Sequence, residues 1–304
     1  MPEPTSRRPI GLGKTLWNLL NTPNEAGAQP AKPNPTPPMA RDGFQATAAF
    51  ANARFANQPD LALLMAGQVL RPGSSSQGVA AVQGALHAMG FTIADGATGY
   101  YGNQTQAALR NFQVMAGLPA DGILGPNTMK ALDRHAPPPG KNSWDAGVNP
   151  GPVPNPTIAP GKQARVVVSI SQHRAFLFDA NGKLKKIYGV RTGTPHHADG
   201  RGGATTPGVR QITGKNGDPT SVSQALWPES NGKAFGTRLI DLTLVDPVTG
   251  KLKDVDGNGQ ELHGTYTESS IGLDYSHGCV GLRNRDIEEI YGQVRNGEFV
   301  RFDA

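Results

Sequence analysis

Cys279 is the only cysteine in this 304-residue chain, and two imidazoles frame it: His277, and His263 thirteen residues ahead of Ser276. A thiol with the ordinary pKa of about 8.5 is mostly protonated at neutral pH, so a base or cation must raise its thiolate fraction before it attacks a carbonyl. His263 and His277 are the candidates. Gly278, beside the thiol, lets the backbone approach a substrate closely and turn amides toward a developing oxyanion. Two blander readings compete with this one. A lone buried cysteine is often inert packing, and His263, His277 and Cys279 could bind zinc. Structural zinc takes four ligands, however, and the chain has no second cysteine, so no metal and no cofactor is expected. The histidine precedes the cysteine, the reverse of papain-like sites.

His263-Gly264-Thr265, Gly272 and Ser276-His277-Gly278-Cys279-Val280, with Asn284 and Asp286 opening an expected helix, resemble the catalytic motif of the L,D-transpeptidase (YkuD) family. The resemblance implies Cys279 as nucleophile and His263 as the base that takes its proton. It further implies that the Gly264 carbonyl orients that imidazole, that His277 polarises the site beside Ser276, and that amides near Gly278 and Cys279 hold the oxyanion. Many members carry Arg or Asn two places after the cysteine. Here that position is Gly281, and the next arginine is Arg283.

Upstream, Arg165–Ile170 and Ala175–Phe178 read as buried strands separated by a turn at Ser171–Arg174, and Asn181-Gly182 marks the next hairpin. Lys186–Gly193 and Thr206–Ile212 resemble further strands of the same family. About the last 145 residues therefore fit one mainly β catalytic domain, which the resemblance makes a YkuD-like β-sandwich.

A second signal lies nearer the N-terminus. Gly78–Gly90 carries apolar residues at helical spacing and closes on glycine. The stretch Asp95-Gly96 to Leu109 is echoed by Asp121-Gly122 to Leu132, each copy a glycine-bearing turn and then a helix entered through a polar residue. With Phe112-Gln113 and Gly117-Leu118-Pro119 between the copies, residues 74–135 are similar to the three-helix peptidoglycan-binding type 1 domain. Val82, Leu86, Leu109, Phe112 and Leu132 form its expected core. Asp95 and Tyr101 are its candidate glycan contacts.

The expected organisation is multidomain: a flexible Pro-rich segment (1–43), a helical connector (44–73), the small binding domain (74–135), a Pro-rich linker (136–161) and the catalytic domain (162–304). Prolines, 26 in all, are concentrated in residues 22–39 and 137–160, which read as semi-rigid polyproline-type spacers; the second would let a wall-bound module position a mobile enzyme. The net charge of +5 is scattered, and no nucleic-acid motif accompanies it. Asp254–Gly259 imitates the start of an EF-hand loop, but Thr265 stands where the bidentate glutamate belongs, so a turn is expected. Trp227 and Phe235 are candidates to cover the cysteine or to fill core.

Met1–Leu20 lacks the apolar core and cleavage site of a signal peptide, and no segment approaches the roughly 20 apolar residues of a membrane span. The implied workplace is nonetheless the periplasm or cell wall, and the implied partners are peptidoglycan stem peptides and glycan. Three functions follow. A resident enzyme would act on tetrapeptide stems through a Cys279 thioester, by 3→3 crosslinking, D-amino-acid exchange or L,D-carboxypeptidase action. A toxin delivered to a rival cell would share that chemistry and bring export machinery and an immunity protein as partners. A wall-binding scaffold would have no catalysis.

Overall fold

The computed structural model describes residues 50–148, 152–195, 203–246, 248–253 and 260–304. The EF-hand-like Asp254–Gly259, the first Pro-rich segment and Met1–Leu20 lie outside the described residues. Among those described, no helix is long and apolar enough to cross a membrane.

The N-terminal part is helical. Helix α1 (Pro59–Met65) starts on proline, whose fixed φ suits a first turn. Helix α2 (Gln77–Ala88) is capped by Ser76, whose hydroxyl accepts the Val79 N–H at 3.0 Å. Helices α3 (Asn103–Met115) and α4 (Pro126–His135) follow. The sequence repeat is a repeated hydrogen-bond device. The buried Gln83 amide donates to Thr105 at the start of α3 and accepts from Gly99; Gln113, one helix later, donates to Thr128 in α4 and accepts from Gly122. One expectation changes. Helices α3 and α4 are entered through Gly102 and Gly125, with no side-chain cap. Residues 74–135 hold three helices, and α1, within the expected helical connector, packs on them: Phe55, Leu61 and Leu64 from α1 and the turn before it enter the same core as Val82, Leu86, Leu109, Phe112 and Leu132.

The C-terminal part is a mixed sheet of β1 (Thr157–Ala159), β2 (Lys162–Ser169), β3 (Arg174–Phe178), β4 (Leu184–Gly189), β6 (Gly208–Asn216), β7 (Leu239–Leu244), β8 (Leu262–His263), β10 (Val280–Gly281) and β11 (Phe299–Asp303), with β5 (Thr192–Gly193) and β9 (Asp274–Ser276) forming a separate pair. The order is β10-β8-β7-β6-β11-β2-β3-β4, with β1 on β2. The hairpin expected at Asn181-Gly182 is closed by Asp179, whose carboxylate accepts the Asn181 and Lys183 N–H groups at 2.8 and 2.9 Å. The expected sandwich is instead one continuous hydrogen-bonded path that curls until its ends meet. Immediately after β4, Arg191 bridges to Gly281 of β10, giving and receiving a backbone hydrogen bond at 2.9 and 3.1 Å. Inside the curl, Val166, Val168, Ile240, Leu262, Val280 and residues of α6 (Asn284–Gln293) share one core. Helix α5 (Thr220–Leu226) and a 3-10 turn at Pro228–Ser230 follow β6.

The two parts touch through polar groups. Asn111 of α3 donates to the Gly272 carbonyl at 2.9 Å and meets His173 Nδ1 at 3.1 Å. Fully buried Arg174 donates to the Met89 carbonyl at 3.0 Å and stacks on Phe91 and Phe176. Within the expected linker, Trp144, Val153 and Ile158 pack on the outer face of the sheet beside Val167 and Phe178.

Phe112 is fully buried at the centre of the helical core and meets Phe91 edge-on. Phe112→Ala is expected to cost about 3–5 kcal/mol of stability, read as a lowered denaturant midpoint of the helical far-UV signal; an unchanged midpoint would contradict this packing.

Candidate active site

Parallel pairing of β10 with β8 builds the site. Val280 pairs with Leu262 and Gly281 with His263, and the ladder extends through Val280 N–H to the Glu261 carbonyl and Leu282 N–H to that of His263. Side chains alternate along a strand. Leu262 and Val280 therefore face the core, while Glu261, His263, Cys279 and Gly281 share the other face, toward a cavity of about 710 Å³.

Cys279 is half-buried there, and its thiol donates to Glu261 Oε2 at 2.7 Å. Burial, and after it the Glu261 carboxylate, pushes the thiol well above its ordinary range. Burial raises Glu261 as well. His263 is 3 % exposed. Its Nδ1 faces the Gly264 carbonyl; a carbonyl only accepts, so the hydrogen resides on Nδ1 and Nε2 keeps a lone pair. Burial, and then the charge of Arg191, hold His263 down at about 3, so the ring is neutral at physiological pH.

The loop carrying Cys279 is held from behind. Gly278 has φ +124°, a conformation that favours glycine. Behind it Gly193 lies so close that a Cβ there would come within 2.6 Å of Gly278 Cα and 2.7 Å of its N. Thr205 clamps the pair, accepting the Gly193 N–H and donating to the Gly278 carbonyl, both at 2.8 Å. The Ser276 hydroxyl donates to the Cys279 carbonyl and accepts the Gly278 N–H at 3.3 Å. On the His263 side, Asn284 Oδ1 accepts the Thr237 N–H at 3.1 Å and fills the space a Cβ at Gly236 or Gly264 would need. Phe235 lies edge-on to His263 with centroids 4.9 Å apart, and Trp227 lies 4.5 Å from His277; both aromatics line the cavity.

Cys279, His263, His277, Ser276 and Gly278 thus open into one cavity, with Gly264 behind the His263 ring. Tyr101 is not available to a glycan: it is fully buried, its hydroxyl donating to the Gly122 carbonyl at 2.8 Å. Asp95 is exposed and accepts from Gln104. Glu261 and Arg191 were not anticipated. Glu261 could have been suspected from the polar–apolar–polar alternation Glu261-Leu262-His263, but only the parallel register sets it against Cys279. Among the described residues no group of three or more His, Cys, Asp or Glu is disposed to hold a metal ion.

Comparison with known proteins places two families on the chain. Residues 163–301 match the YkuD family, the L,D-transpeptidase catalytic domain, and residues 75–132 match PG_binding_1, a peptidoglycan binding domain. The N-acetylmuramoyl-L-alanine amidase CwlL of Bacillus licheniformis is 45% identical over 67 residues, which are 22% of this chain. The chain spans about a fifth of the length of that relative, 19%. An L,D-transpeptidase structure from Xylanimonas cellulosilytica aligns with TM-score 0.45 and 21% identity, covering 78% of this chain and 98% of that one. A second, from Stackebrandtia nassauensis, aligns with TM-score 0.35 and 20% identity over 77% and 95%.

Two outcomes follow from the electrostatics. Glu261→Gln removes the anion that opposes ionisation of Cys279, so iodoacetamide should label the single cysteine roughly tenfold faster near pH 8; an unchanged rate would separate Glu261 from the thiol. Unfolded His263 takes a proton below about 6.5, whereas the folded residue resists until about 3. Relative to His263→Gln, the wild type should therefore lose up to about 1.4 kcal/mol of stability per pH unit as pH falls through that window. Parallel stability curves for the two proteins from pH 7 to pH 4 would contradict the buried neutral ring.

Proposed function

We propose, from the premise that this chain carries an L,D-transpeptidase catalytic domain behind a peptidoglycan binding domain, that it is a cysteine acyltransferase of peptidoglycan stem peptides working outside the cytoplasm. The observation that carries this is the shared face of β8 and β10, which aims a thiol and a neutral imidazole with a free Nε2 into one cavity.

In this reading Cys279 Sγ attacks the carbonyl at the L-centre of the third stem residue while its proton passes to His263 Nε2. The C–N bond to the terminal D-alanine then breaks, the amine leaves with that proton, and a thioester remains on Cys279. An amine of a neighbouring stem expels the thiol and completes a 3→3 crosslink; water in its place completes carboxypeptidase action. With Gly278 N–H committed to Ser276 Oγ, the oxyanion is assigned to the Cys279 amide. His277, beside Trp227, borders the acyl pocket. The helical module, touching the catalytic part through Asn111 and Arg174, would keep the cavity near the glycan it binds.

The hydrogen bond from Cys279 to Glu261 favours a second assignment of the proton, to the carboxylate. Purified wild type, Cys279→Ala, His263→Gln and Glu261→Gln are to be incubated with tetrapeptide-rich sacculi and the muropeptides analysed by mass spectrometry. Expected are tripeptides or 3→3 dimers from wild type, none from Cys279→Ala, and a loss of about a hundredfold or more in His263→Gln. That loss appearing in Glu261→Gln with His263→Gln active would move the base to Glu261. Wild-type digests identical to those of Cys279→Ala would leave a wall-binding scaffold.

A further inference from the structure

Gly281 leaves a gap in the site face, and the structure fills it from across the sheet. In the register of β10, position 281 lies two residues beyond Cys279 and opposite His263, on the cavity side. With only hydrogen at 281, the Arg191 side chain lies over it: a Cβ built on Gly281 would fall on Arg191 Nε and come within 2.8 Å of its Cγ and 3.0 Å of its Cδ. Arg191 and a side chain at 281 therefore exclude one another. The backbones of the two residues are tied by the bridge that closes the sheet, so the exchange of space is fixed by main-chain hydrogen bonds.

Arg191 is 8 % exposed and lines the cavity. Its Nη1 donates to Ser270 Oγ at 3.2 Å, its guanidinium lies 5.9 Å from the Tyr275 ring, and its buried Nε has no hydrogen-bond partner among the described residues. No carboxylate is paired with it among the described ion pairs. A buried guanidinium without a counter-anion is costly unless charge arrives to meet it. The groups around Cys279 that could meet or oppose it are Glu261 and His263 of the neighbouring strand, His277 on its own loop, and Tyr266 and Tyr275 at the cavity wall.

We propose that Arg191 is the cation of this active site, standing in from the opposite edge of the sheet for a side chain at position 281, and that its counter-charge is the Cys279 thiolate as it forms. The inference rests on Cys279 being the nucleophile. Arg191 acts through the sulfur and is a positioning residue in that sense; its expected signature is in thiol ionisation before any substrate is bound.

The test is the pH dependence of iodoacetamide labelling of the single cysteine in the full-length protein, from about pH 6 to pH 10. Arg191→Met keeps the aliphatic packing and loses the charge; its labelling at pH 8 is expected to fall about tenfold, with the midpoint displaced upward by about one unit. Arg191→Lys should retain most of the wild-type profile. Gly281 does not occupy the left-handed region, so its backbone accepts a side chain, and in Arg191→Ala/Gly281→Arg, which removes the Cγ and Cδ that a Cβ at 281 would meet, the relocated guanidinium should restore labelling to within about threefold of wild type. An unchanged profile in Arg191→Met, an equal shift in Arg191→Lys, or no recovery in the double variant would each overturn the proposal. If Arg191→Met instead raises KM in the muropeptide assay with its labelling profile intact, Arg191 contacts substrate and the thiolate pairing is wrong. Normal labelling in a wild type that yields no muropeptide products would sink the acyltransferase function and leave the charge pairing standing.

Discussion

Everything about the site depends on the sheet curling until its two ends meet at Arg191 and Gly281. That bridge joins the end of β4 to β10 and so draws together segments ninety residues apart in the chain. It also brings Thr192-Gly193 against the loop of Ser276–Cys279, where glycine at 193 and a positive φ at Gly278 permit an approach that any Cβ would block. Two backbone hydrogen bonds are individually worth about 1 kcal/mol. Their weight here comes from what they hold in register: a one-residue slip of β10 on β8 would turn Cys279 into the core and Val280 into the cavity.

Burial is the second constraint, and its effects pull in different directions. It keeps His263 neutral and able to accept a proton, yet it also opposes ionisation of Cys279, an effect the Glu261 carboxylate increases. Arg191 opposes burial at Cys279, favouring the thiolate, and reinforces it at His263, disfavouring an imidazolium. A resting thiol that keeps its proton and donates it to a carboxylate is a weaker nucleophile, and less open to oxidation, than a thiolate.

The helical module and the sheet are joined by an unbroken run of polar contacts. Asn111 meets His173, His173 Nε2 meets Asp274 at 3.2 Å, and Asp274 accepts from Thr192 at 2.6 Å, one residue from the glycine that backs the Cys279 loop. With Trp144, Val153 and Ile158 laid on the sheet, part of the Pro-rich stretch is packing surface where composition alone reads a spacer.

Much of this was legible in the residues alone. Local pattern determined the strands around Val166–Val168 and Phe176–Phe178, the Asn181-Gly182 hairpin, the doubled glycine turn of the helical module and the His-Gly and Ser-His-Gly-Cys signatures, because each is a short-range consequence of side-chain alternation, turn chemistry or motif spacing. The packing of the connector helix into the helical core, the burial of Tyr101, the partnership of Glu261 with Cys279 and the seat of Arg191 over Gly281 were decided only by tertiary structure. Each depends on which strand or helix lies beside which, a matter of register and closure between distant segments, and no local pattern encodes it.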